Sequence, residues 1–103
     1  MVETFTTPNG RETLTIFHPD GSRLLATHYC AQGNQPRLAL NPLSTPTEMI
    51  FRFLDATNLK SERDAHLIRL ILKIKDDDHF DKTEVYTERG VEDITVYQFK
   101  RLR

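Results

Sequence analysis

Short runs rich in Thr, Ile, Val, Phe and Tyr alternate along this chain with frequent turn signals. Glu3–Thr7, Glu12–His18, Arg23–Tyr29, Arg37–Leu40, Glu48–Leu54, Ala65–Lys75, His79–Thr87 and Glu92–Arg101 carry the residue types and lengths of β-strands. Between them lie Pro8-Asn9-Gly10, Pro19-Asp20-Gly21, Gly33-Asn34-Gln35-Pro36, the Asn41–Pro46 loop, Asp76-Asp77-Asp78 and Glu88-Arg89-Gly90. Pro, Asn, Asp and Gly each favour reversals, through fixed φ, local side-chain bonding or access to positive φ. Tight reversals between neighbouring strands predict an antiparallel meander. No window of 12 or more residues has a helical stripe. The longer connection Asp55–Asp64 is expected to be loop with at most one helical turn.

Alternation is clearest in the sixth run. His66, Ile68, Leu70, Leu72 and Ile74 fall on one face, and Leu67, Arg69, Ile71, Lys73 and Lys75 on the other. The first set is apolar after its opening histidine, so it is expected inside. In the fifth run Met49, Phe51 and Phe53 form the expected inner set. Ile50, Leu54, Leu67 and Ile71 are then left outside, and a second copy of the chain is a natural cover for them.

Composition narrows the classes. A length of 103 residues sets one domain over 1–103 with a modest core. Hydrophobic residues are 38% and charged residues 28%, a globular balance. The net charge of −1 argues against nucleic acid, because phosphate binding wants a basic excess. No apolar run is long enough to span a membrane as a helix, and MVETFTTPNG lacks the pattern of a signal peptide. A single cysteine builds neither an internal disulfide nor a thiolate cage, so a cytoplasmic setting and no cofactor are expected.

Candidate chemistry concentrates in THYCAQGNQPR, residues 27–37. Cys30 as a nucleophile would need a lowered pKa and a base; His28, two residues away, shares its strand face at about 7 Å. A packed thiol is the commoner state. His28 and His66 with Asp55 or Glu84 could form a metal set, but no sharp ligand spacing is present, and no metal is assigned. The stretch Gly33-Asn34-Gln35-Pro36 suits a structural corner, with Arg37 paired to Asp55. A corner of this kind is also what the rim of a pocket is made from. The expected ligand-binding set is therefore His28, Asn34, Arg37, Phe51, Phe53, Asp55, His66 and Leu70, with apolar walls and a few polar anchors. Tyr29 has the opposite parity to His28 and is expected to face away.

Leu14–Arg37, with its Asp-Gly turn and its THYC and GNQP segments, is similar to a bacterial family of lipocalin-like proteins of uncharacterised function. Phe51-Arg52-Phe53-Leu54-Asp55-Ala56-Thr57-Asn58 matches a second segment of that family, and the histidine-led strand His66–Leu70 a third. The resemblance covers roughly residues 12 to 101. It implies an antiparallel calycin barrel, complete or half-open, enclosing a cavity for a small, partly apolar ligand. The family carries further strands before this region, which on that resemblance are missing here and whose place a dimer would fill. Ile68 stands where a second histidine often occurs, and the seventh strand has no tryptophan. Binding without catalysis is thus the first expectation. A small isomerase or hydrolase using His28 or His66 as general base is the second. A structural pairing module is the third.

Overall fold

The computed structural model describes residues 1–102. Eight strands follow in order: β1 (Val2–Thr6), β2 (Glu12–Asp20), β3 (Arg23–Tyr29), β4 (Gln35–Leu40), β5 (Glu48–Thr57), β6 (His66–Ile74), β7 (His79–Glu88) and β8 (Val91–Lys100). Each pairs antiparallel with the next, in a single sheet ordered β1 to β8. The chain is an all-β meander, curled into a half-barrel, with no helix among the described residues.

Local chemistry explains the tightest turns. Asp20 pairs directly with Arg23, leaving Gly21 at φ 62° in a two-residue reversal. Arg89 at φ 54° and Gly90 at φ 79° close the β7–β8 hairpin. Two consecutive positive φ values are the geometry whose twist matches that of paired strands. The Asp55–Asp64 stretch departs from expectation. Asp55, Ala56 and Thr57 continue β5, because they pair with Arg37, Pro36 and Gln35, and the remainder is loop with one turn, closed by Asp64 N donating to the Ser61 carbonyl at 3.0 Å.

The core lies on the concave face. Phe17, Ala26, Leu38, Phe51, Leu67, Leu70 and Leu72 form one buried cluster, with the Phe17 and Phe51 rings edge to face at 5.5 Å. Leu67 belongs to this cluster, against the strict alternation expected for the sixth strand. A bulge between Leu67 and Arg69 is the reason. One extra residue reverses the parity of everything before it. Ile74, at the far end, is exposed. Ile50 and Ile71 stand opposite each other across β5 and β6, so they partly cover one another.

The first and last strands share no backbone ladder. Side chains bridge the seam instead. Phe5 on β1 packs edge-on to Tyr97 and Phe99 of β8, at 4.7 and 5.8 Å. The Lys82 ammonium of β7 reaches both carboxylate oxygens of Glu3 on β1, each at 3.3 Å.

Candidate functional site

Beyond the apolar cluster, the concave wall turns polar where β2, β3 and β7 meet. His28 is almost completely buried there. Its Nδ1 lies 2.8 Å from Thr15 Oγ1 and its Nε2 lies 3.1 Å from the Tyr86 hydroxyl. The register explains the first contact, since Thr15 and His28 are direct cross-strand partners. Cys30 Sγ lies 3.9 Å from the same Tyr86 hydroxyl. Deeper in, Lys82 and Glu84 continue the alternation of Tyr86 along β7. Their partners on β6 are the core residues Leu72 and Leu70.

Burial controls the protonation of this row. Desolvation, aided by the charge of Lys82, pulls the His28 pKa down to about 4. Desolvation pushes the Cys30 thiol up to about 11. It also raises Tyr86, and it raises Glu84 against the opposing pull of Lys82. At pH 7 the imidazole is neutral, and the phenol and thiol keep their protons.

Tyr86 and Glu84 form the floor of a cleft of about 530 Å³ on the open side of the half-barrel. Phe5, Arg11 and Thr13 from β1, the following turn and β2 make one wall, and Thr95 and Tyr97 of β8 make another. Ala31, Gln32 and Ala65 contribute to its rim. A second cleft, of about 460 Å³, lies at the Asp76-Asp77-Asp78 turn, where His79 Nδ1 meets Asp76 Oδ1 at 2.8 Å.

None of the eight expected binding residues lines the larger cleft. His28 stands directly behind Tyr86, and Tyr29 is exposed, as parity required. Phe51 and Leu70 are solid core. Phe53 lies against the buried His66 ring at 5.1 Å, and His66 Nδ1 meets the Asp64 carbonyl at 2.6 Å. Arg37 and Asp55 form the expected forked pair, with Nε donating to Oδ1 at 2.6 Å, on the exposed surface. Asn34 is buried and donates through Nδ2 to the Ala65 carbonyl at 2.9 Å, tying two loops of the cleft rim together. Gln35 Oε1 accepts from Thr57 Oγ1 at 2.7 Å and from Asn58 Nδ2 at 2.6 Å. The GNQP segment and the DATN segment therefore hold each other, and the unusual stretch 27–37 is first of all a corner.

No three His, Cys, Asp or Glu side chains among the described residues converge on a metal-sized position. His28, His66 and Asp55 are each engaged separately, by Tyr86, by Asp64 and by Arg37.

Sequence reasoning passed over Tyr86, Lys82, Glu3 and Phe5. The one available signal was Lys82-Thr83-Glu84-Val85-Tyr86, whose period of two sets Lys82, Glu84 and Tyr86 on one face. A charged face is ordinarily read as solvent-facing, and here it faces inward. No protein-family model, curated protein or solved structure matches the chain.

Proposed function

We propose that this protein binds a small, partly apolar molecule in the 530 Å³ cleft and does not transform it. The observation that carries this reading is the lining of the cleft, where the polar groups of Thr13, Glu84, Tyr86 and Thr95 stand beside the Phe5 and Tyr97 rings. A general acid or base works best with a pKa near the operating pH. Behind the wall His28 is held near 4, and Cys30 and the lining Tyr86 are held protonated. What faces a ligand is a set of hydrogen-bonding groups, Tyr86, Thr95 and the Glu84 carboxyl among them, beside the Phe5 and Tyr97 rings, the make-up of a binding pocket. The competing base, His66, is engaged by Asp64 and Phe53 and lies off the cleft. The lipocalin-like resemblance and the curled meander support the same reading, though a fold by itself is weak warrant for function.

Native mass spectrometry of protein purified from its own host, without refolding, tests this. An added mass that leaves on denaturation is the expected result, and Thr95→Trp, which fills the cleft, should abolish it. A clean apo spectrum, or an adduct kept by Thr95→Trp, would overturn the reading.

A homodimer joined along β8 belongs to the same proposal. Ile94 and Val96 on the outer face of this edge strand are 61% and 55% exposed, and long apolar edges invite pairing. An antiparallel two-fold centred on Val96 would set each Glu92 against Lys100 of the second copy, matching charge as well as apolar surface. Light scattering should report a dimer that Val96→Lys dissociates; a monomeric wild type would refute it.

A further inference from the structure

We propose that the cleft takes its ligand as a cation: an amphiphilic amine whose ammonium reaches Glu84 and whose apolar body lies along Phe5, Val91 and Tyr97. This rests on the binding reading above and adds the ligand's chemical class.

Glu84 is 5% exposed, and the one ionic partner of its carboxylate is distant. Its one cation, Lys82, stands 4.0 Å away, while the closer contacts of Lys82, at 3.3 Å, go to Glu3. One ammonium thus serves two carboxylates. A largely buried carboxylate that shares a distant cation is poorly compensated, and a charged donor arriving from the cleft side improves that compensation. The remaining lining points the same way. Among the described residues that line the cleft, Arg11 is the only cation, against Glu84, Glu88 and Asp93. Thr13 Oγ1, in the same wall, is buried with no partner.

The interior also displays the recognition it would use. Lys82 Nζ sits 3.7 Å from the centroid of the Phe5 ring, with Tyr97 at 5.6 Å and Phe99 at 5.7 Å. Ammonium held over aromatic faces beside carboxylates is a cation–π arrangement. Phe5 and Tyr97 also line the cleft, so a second ammonium entering it meets two of the same rings. A neutral ligand would offer Glu84 a hydrogen bond without charge, and an anion would be repelled.

Three probes of equal carbon skeleton decide the matter: 4-phenylbutylamine, 4-phenylbutan-1-ol and 4-phenylbutanoate, titrated at pH 7 by calorimetry and by amide NMR shifts. The amine should bind roughly tenfold or more tighter than the alcohol, the difference between charged and neutral hydrogen bonding. The carboxylate should be weakest. Glu84→Gln should bring amine and alcohol to parity. Asp20→Asn, which removes the same charge at the other end of β2, should leave the preference intact. Equal affinities of amine and alcohol for the wild type would overturn the cationic assignment and leave the binding reading standing. An amine preference that survives Glu84→Gln would overturn the role of Glu84. Failure of all three probes to move any cleft amide would overturn both. Should Glu84→Gln lose its folded spectrum, the wild-type amine-to-alcohol ratio decides alone.

Discussion

His28 makes the stability of this fold depend on pH in a definite direction. Its pKa is 6.5 when exposed and about 4 in the folded protein. Between those values the unfolded chain takes up a proton that the folded chain refuses. The stability it contributes is therefore complete above pH 6.5, falls as pH drops towards 4, and is lost below that. Each pH unit of the window is worth about 1.4 kcal/mol, so the whole descent amounts to roughly 3 kcal/mol. A small domain has about 5–15 kcal/mol to lose, so the effect is large. Glu84 contributes with the opposite sign, because burial raises its folded pKa. Comparison with His28→Gln removes that contribution, since both proteins share it. Glutamine keeps a polar group between Thr15 and Tyr86 but does not titrate. Urea unfolding at pH 7.5, 6.5, 5.5 and 4.5 should show the wild-type midpoint falling more steeply than that of the variant. The divergence should reach on the order of 1–3 M for slopes of about 1–3 kcal/mol/M. Parallel profiles for the two proteins would refute the claim that a neutral, buried His28 carries this term.

Tyr86→Phe removes the hydroxyl that pairs with His28 Nε2 and should cost about 1–3 kcal/mol by urea unfolding, the penalty of an orphaned buried nitrogen; an unchanged midpoint would refute the network. With its pKa pushed up to about 11, Cys30 should react with a disulfide reagent at pH 8 about a hundredfold more slowly in the folded protein than in the unfolded one, and immediate full labelling of the folded protein would contradict this. Asn34→Ala should lower stability by about 1–2 kcal/mol, through loss of the buried bond to Ala65, whereas Arg37→Ala, on an exposed pair, should leave the midpoint unmoved. The reverse order would show that the surface fork, not the buried amide, secures the corner.

Much of the scaffold was legible from spacing alone. The β3 limits were read to the residue, and β2, β6, β7 and β8 to within two positions. The Arg37–Asp55 pair was legible because the two residue types have a strongly preferred forked geometry. The inner face of β6 was read correctly at Leu70 and Leu72 and misread at Leu67, because the Leu67/Arg69 bulge depends on how β6 meets β7 and leaves no local signature. The candidate site was legible only in part. His28 was identified as inward by parity, but its partners lie 13 and 58 residues away. The eight expected residues include core, corner and surface groups, since residue type alone does not distinguish a cleft wall from a filled core.

Local chemistry therefore determined strand existence, turn positions, the antiparallel order and the corner at residues 27–37. Each follows from φ preferences and side-chain period within a few residues. Tertiary structure alone decided that the sheet stops at a half-barrel, that Lys82, Glu84 and Tyr86 face inward, and that Glu3 and Phe5 meet them across the seam. The curl of a sheet sums small twists over eight strands, and only that sum brings β1 to β8. The charge and burial that set the chemistry of the cleft come into being at that closure.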